Sequence, residues 1–181
     1  MPVLFVLGGS QGSRAINEVV IDILPQLVQK YQIIHQVGRA HYTEAKLRSG
    51  IVLEKQEHLT RYKLFDYLNE AALRMAAGVA TLAVSRAGST AMFELAEWEV
   101  PAIVIPIPEP ISHDQRSNAF TYARAGAAMV IEEKNLKPHL LLSEVERLML
   151  DERARASMKN KAKQFARPDA GEVIARDLLS F

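Results

Sequence analysis

Thr81-Leu82-Ala83-Val84-Ser85-Arg86-Ala87-Gly88-Ser89-Thr90-Ala91-Met92-Phe93-Glu94 is the stretch from which the fold is read. Its apolar run has the length of a buried strand and stops at Ser85. A glycine turn follows, and Ser89 or Thr90 then opens a helical pattern. That order builds an anion site, because the first turn of a helix leaves backbone N–H groups unpaired and carries partial positive charge. Glu94 falls about one turn further in. A carboxylate there repels phosphate if it points the same way, but it can accept hydrogen bonds from the two hydroxyls of a ribose. A capped strand-to-helix turn without a ligand satisfies the same residues.

The rest of the chain repeats this alternation. Val3-Leu4-Phe5-Val6-Leu7 is continuously apolar, as a strand covered on both faces requires, and Gly8-Gly9-Ser10-Gln11-Gly12-Ser13 ends it. Ile16, Val19, Val20, Ile23, Leu24, Leu27 and Val28 then recur at helical spacing, with Pro25 inside the pattern to kink or split it. Further strands are expected over residues 32–37, 79–84, 101–105 and 129–131, with an extended segment over 62–68 and a weak one over 51–53. Further helices are expected over 41–47, 69–77 (stopped by Gly78), to about Trp98, to Ala125 (capped by Ser112 or Asp114 and stopped by Gly126), and through the remainder from His139. Such alternation argues for a parallel sheet with helices on both faces, one Rossmann-like doubly wound α/β domain. Ligands of such sheets bind at the carboxyl ends of the strands, where the glycine turns lie.

With 181 residues the chain can bury a sizeable core as a single domain. Hydrophobic residues at 49% and charged residues at 24% describe a globular protein, not a disordered one. The net charge of +1 supplies no basic excess for a nucleic-acid partner. Without cysteine, disulfide and thiolate chemistry are excluded, which fits a reducing compartment. Neither a membrane-spanning apolar run nor a basic-then-apolar leader is read, so the chain is expected to open directly into its first strand.

The first glycine loop is not a Walker loop, since no Gly-Lys-Ser or Gly-Lys-Thr follows. It also departs from the dinucleotide fingerprint in spacing. The second strand ends in Gln36-Val37-Gly38-Arg39 without the acidic residue that binds an adenosine ribose, which disfavours NAD. In Ser112-His113-Asp114-Gln115-Arg116-Ser117-Asn118-Ala119, positions 114 and 118 share a helix face, and Asp114, Gln115 and Asn118 suit a sugar's hydroxyls if they converge beside the strand ends. A solvated first turn is the alternative. No metal site is expected: His35, His41, His58, His113 and His139 never pair at ligand spacing, and no Asp-x-Asp occurs. His35 reads as a hydrogen-bonded core residue, and Met75, Met92, Met149 and Met158 as helix packing.

Together, Gly8-Gly9-Ser10-Gln11-Gly12-Ser13-Arg14-Ala15-Ile16-Asn17, Ser85-Arg86-Ala87-Gly88-Ser89 with Glu94, and Gln115-x-x-Asn118-Ala119 resemble the MurG family, bacterial enzymes that add N-acetylglucosamine to lipid I to form lipid II. Ala125-Gly126-Ala127-Ala128 and Ala166-Arg167-Pro168-Asp169-Ala170 resemble it too. The likeness covers nearly the whole chain but only the carboxyl-terminal half of the family's two-domain GT-B architecture. It implies that residues 1–181 form a UDP-sugar (donor) binding domain, with UDP-N-acetylglucosamine as donor and no metal or other cofactor.

Position by position, the resemblance puts Ser10, Gln11 and Gly12 at the donor diphosphate, joined by Ser89, Thr90 and Ala91 after the Gly88 turn. It puts Glu94 on the uridine ribose, Tyr67 and Leu68 on uracil, and Gln115 on the sugar, with Asn118 in the same motif. Where the family usually has Gln or His, this chain has Asp114, which bears on the sugar's identity. No catalytic residue is expected here. The resemblance implies that the base, the acceptor site and the membrane-facing surface belong to an amino-terminal domain or subunit that binds the lipid-linked acceptor. The complete enzyme would sit in the cytoplasm, peripheral to the inner face of the plasma membrane. Other readings of the same residues are a stand-alone nucleotide-sugar binding module and another GT-B UDP-sugar enzyme, such as a glycolipid glycosyltransferase or a UDP-N-acetylglucosamine epimerase.

Overall fold

The computed structural model describes residues 1–9, 11–108 and 111–180, with His113 described by its backbone alone. Six parallel strands form one sheet: β1 (Val3–Leu7), β2 (Gln32–Gln36), β3 (Tyr62–Phe65), β4 (Leu82–Arg86), β5 (Ala102–Ile105) and β6 (Ala128–Val130). Their order across the sheet is β3-β2-β1-β4-β5-β6. The chain winds outward from β1 in one direction and then from β4 in the other. The order therefore reverses between β1 and β4, which pair from Leu4–Leu82 to Leu7–Ser85. A crevice opens at such a reversal because the two flanking connections leave on opposite faces.

The helices are α1 (Arg14–Asp22), α2 (Leu24–Lys30), α3 (Tyr42–Leu53), α4 (Glu70–Val79), α5 (Ser89–Glu97), α6 (His113–Arg124), α7 (Pro138–Leu150), α8 (Glu152–Phe165) and α9 (Ala170–Leu179). Period-two alternation in the strands divides the core. Leu4, Val6, Leu82, Val84, Ile103 and Ile105 point to one face and pack with Ile16, Val20, Leu24 and Leu27 and with Leu141 and Val145. Phe5, Leu7, Ala83, Ala102 and Val104 point to the other and pack with Ala76, Met92, Leu95, Ala119 and Tyr122. On β4 and β5 this second face is carried by the small Ala83 and Ala102 beside Val104. Phe165 closes that side with its ring edge-on to Tyr122, 4.9 Å between centroids.

Pro25 splits the first helical pattern, as its missing N–H requires. α1 ends at Ile23, and Pro25 sits in the first turn of α2, where no donor is lost. Three local expectations are corrected. Residues 51–53 are the end of α3, not a strand: Ala45, Ser49 and Leu53 bury one face at four-residue spacing, so the helix continues past Gly50 and leaves Ile51 in solvent. Gly78 lies within α4 and does not stop it. The helix ends one residue later, where Ala80 turns extended to lead into β4. Met92, Met149 and Met158 pack in the core, but Met75 is exposed on the outer face of α4.

Candidate functional site

The sequence dictates where the site lies. β1 and β4 are buried along their length, so their backbones are saturated until each chain leaves the sheet at its glycine turn. After β1, Gly12 N–H bonds Gly9 O at 3.1 Å, and Ser13 caps α1 by accepting from Ile16 N–H at 3.3 Å. Gly12 has φ +83°, and a Cβ there would run into the carbonyl of Val37. Ser10 lies outside the described residues. After β4, Gly88 is the N-cap of α5 and has no side chain to cap it. The first helical bond is Met92 N–H to Gly88 O at 3.0 Å, so the N–H groups of Ser89, Thr90 and Ala91 have no partner within the helix.

Both turns open on one cleft of about 750 Å³ at the carboxyl edge of the sheet. Of the residues expected at a site, Gln11, Gly12, Tyr67, Leu68, Gly88, Ser89, Thr90, Ala91, Glu94 and Gln115 all border it. Four separate segments, some 80 residues apart at the extremes of the glycine turns, are thus brought together by the winding of the sheet. Burial holds the Glu94 carboxyl above its ordinary pKa, with the charge of Glu70 adding to the effect. Gln115 Oε1 accepts from Ile107 N–H at 3.2 Å, which leaves its amide nitrogen as a donor. That nitrogen lies 3.9 Å from where a Cβ on Gly88 would stand, so the third sequence stretch meets the second.

Asp114 and Asn118 are not among the residues that border the cleft. The inward face of α6 runs through Gln115, Ala119 and Tyr122, the last two fully buried. Positions 114 and 118 share a face, as their spacing requires, but it is the adjacent one. Asp114 is exposed and Asn118 half-buried. Among the described residues no group of three or more His, Asp or Glu is placed to hold a metal ion.

Residue 3 to residue 174 match the glycosyltransferase family 28 C-terminal domain. The chain belongs to that family. This family 28 domain is 35% identical over 185 residues to the UDP-N-acetylglucosamine–N-acetylmuramyl-(pentapeptide) pyrophosphoryl-undecaprenol N-acetylglucosamine transferase of Listeria monocytogenes serotype 4a, an alignment covering 99% of this chain and 48% of the relative. It is 34% identical over 180 residues to the Natranaerobius thermophilus transferase of the same name, covering 98% and 48%. The chain spans about half the length of these curated relatives. The crystal structure of Acinetobacter baumannii MurG superposes with a TM-score of 0.84 at 25% identity, over 100% of this chain and 50% of that one.

Arg86 and Gln36, quoted in the sequence analysis without a role at the site, also border the cleft of this family 28 domain. Arg86 ends β4 at 9% exposure, donates to Ile105 O at 3.3 Å and pairs with Glu133. Gln36 occupies the end of β2, where dinucleotide-binding folds carry an acid. It is 3% exposed, and its amide donates to Gly9 O at 3.4 Å, tying β2 to the first glycine loop. No helix among the described residues is long and apolar enough to cross a membrane.

Proposed function

We propose that this chain is the donor-binding half of an inverting glycosyltransferase that transfers N-acetylglucosamine from UDP-N-acetylglucosamine to undecaprenyl-pyrophosphoryl-N-acetylmuramoyl-pentapeptide, converting lipid I to lipid II in peptidoglycan synthesis. The observation that carries the reading is the convergence of both glycine turns, Glu94, Tyr67 and Gln115 on one cleft. In this reading the N–H groups of Ser89, Thr90 and Ala91, left without a partner inside the helix, hold the diphosphate with the loop at Gln11 and Gly12, and the family resemblance assigns Ser10 to the same role. Glu94 accepts from the ribose hydroxyls, Tyr67 and Leu68 flank uracil, and the free amide of Gln115 donates to a sugar hydroxyl. Asp114 and Asn118 stand outside this first set of contacts.

The chemistry follows from that placement. The acceptor hydroxyl attacks the anomeric carbon from the face opposite the diphosphate. The new C–O bond forms as the bond to the β-phosphate breaks, and UDP carries away the electron pair. Backbone amides and the dipole of α5 are fixed before the reaction, so they stabilise the charge growing on the leaving diphosphate without reorganising, and no metal is required for that role. The acceptor's proton goes to a base in the amino-terminal half, which also supplies the acceptor site and the peripheral attachment to the inner face of the plasma membrane. Two features support such a partner: the relatives are about twice as long, and α9 leaves Val173, Ile174, Leu178 and Leu179 exposed.

Calorimetry with UDP, UDP-N-acetylglucosamine, UDP-glucose and NAD tests the donor assignment. UDP and UDP-N-acetylglucosamine are expected to bind and NAD is not. Glu94→Ala should weaken UDP about tenfold or more, the worth of a hydrogen bond to a charged group, whereas Glu97→Ala on the exposed face of α5 should not. Equal effects of the two substitutions would remove the ribose assignment. Turnover of a lipid-linked acceptor by this chain alone would remove the claim that it is incomplete.

A further inference from the structure

Beside the donor cleft lies a second hollow of about 600 Å³, bordered by Gln11, Gly12, Arg39, Ala40, His41 and Tyr67. Gln11, Gly12 and Tyr67 border both spaces, so the two share a wall. Their charge differs. Glu94 borders the donor cleft, but among the described residues no carboxylate borders the hollow. Arg39 is exposed, and its guanidinium lies over the Tyr67 ring at 5.0 Å from the centroid. It pairs with no carboxylate among the described residues, whereas Arg14, Arg48, Arg86 and Arg147 each rest on one.

The backbone that carries the cation is held in place. Gly38, at φ +86°, precedes Arg39, and a Cβ on it would run into the Gln11 carbonyl, just as one on Gly12 would run into that of Val37. The β2–α3 turn and the first glycine loop are therefore packed backbone to backbone. His41 N–H closes the turn on Gly38 O at 3.1 Å. A guanidinium has only donors, and one that is stacked on a ring but has no counter-charge among the described residues is suited to a pair of oxygens on an oxyanion such as phosphate.

We propose that this hollow is a second anion subsite, in which Arg39, with His41 beside it and Tyr67 as its wall, takes a phosphate-bearing group other than the donor's own diphosphate. The subsite itself rests only on the hollow and its charge.

The test titrates inorganic pyrophosphate, at low ionic strength, into the chain saturated with UDP. One further pyrophosphate is expected to bind. Arg39→Ala should weaken it about tenfold or more while changing UDP affinity less than about twofold, and Arg39→Lys should recover part of the loss. Arg39 is exposed, so these variants leave the fold intact. Exclusion of pyrophosphate by UDP overturns the proposal, as does an Arg39→Ala variant that loses UDP and pyrophosphate equally or loses neither. If UDP fails to bind at all, the donor reading falls, and pyrophosphate titrated into the free chain and its Arg39 variants still decides the subsite.

Discussion

The guanidinium of Arg86 and the carboxylate of Glu133 meet at 2.5 Å under the floor of the cleft, with the arginine side chain 11% exposed. Arg86 borders the cleft and Glu133 does not, so the pair turns its positive member to the cleft and keeps its partly exposed counter-charge off that wall. Removing the acid leaves a buried cation whose one remaining partner among the described residues is the Ile105 carbonyl. Glu133→Gln is therefore expected to destabilise the free protein by about 2 kcal/mol, less than a fully buried pair because the acid is partly exposed. An anion in the cleft then replaces the lost counter-charge. Thermal melts should show a larger stabilisation by UDP in Glu133→Gln than in the parent chain. An equal or smaller shift means that Arg86 does not face the bound anion.

His35 provides a test of the frame that holds the first glycine loop. Its ring is fully buried, with Nδ1 3.0 Å from the Tyr62 hydroxyl and Nε2 3.1 Å from Asn17 Oδ1, and the Asn17 amide donates to Val37 O at 3.0 Å. Burial pushes the His35 pKa down to about 3, against an ordinary 6.5. Between these values the unfolded chain binds the extra proton. This contribution is thus complete above pH 6.5 and is lost as pH falls, by about 1.4 kcal/mol per unit. Urea unfolding should show about 2 kcal/mol less stability at pH 5 than at pH 7. His35→Gln should be less stable at neutral pH but lack this component of the slope. A variant with the parent's slope would place the titration elsewhere.

The glycines separate into two kinds that substitution can tell apart. Gly12→Ala meets both a positive φ and a backbone carbonyl, and should cost more than about 2 kcal/mol of stability. Gly88 has φ −64°, and its nearest would-be neighbour is the Gln115 amide at 3.9 Å. Gly88→Ala should therefore cost less than about 1 kcal/mol, the usual loss at an N-cap. Its methyl group projects beside the Gln115 amide, and UDP-sugar affinity should fall about tenfold. Loss of stability in Gly88→Ala as large as in Gly12→Ala would make Gly88 a structural glycine only.

These two glycines also show how far the sequence could be read. The strand-turn-helix order around Gly88 was legible because a short apolar run, a small-residue turn and a helical period are local signals. The parallel sheet followed from repeating that order. The convergence of Gln11, Ser89, Glu94 and Gln115 depends on the winding order, which alternation implies but does not number. The failures were those of rotation and context. Spacing correctly placed Asp114 and Asn118 on one face of α6 but could not say that Gln115 and Ala119 make the inward one. Gly78 read as a stop because its helical φ depends on where Ala80 must enter the sheet. Arg86 was hidden because its partner, Glu133, lies 47 residues away on the far side of β5 and β6.

Glu94 gives a pH test that distinguishes ribose from diphosphate contacts. Burial and the neighbouring Glu70 raise its pKa above the usual carboxylate range. The sign for stability is that protonation favours the folded form as pH falls, since the unfolded carboxyl gives up its proton more readily. The sign for binding is opposite: only the ionised carboxylate accepts from both ribose hydroxyls, so UDP affinity should fall as pH drops from 7.5 to 5. Calorimetry on Glu94→Gln should show weaker binding at pH 7.5 and a flatter dependence below it. A 2′-deoxy analogue of UDP, having lost one of the two donors, should also bind more weakly to the parent at pH 7.5 and differ less from UDP at pH 5. If UDP and its deoxy analogue instead weaken in parallel as pH falls, the titration being read is that of the diphosphate, and Glu94 does not contact the ribose.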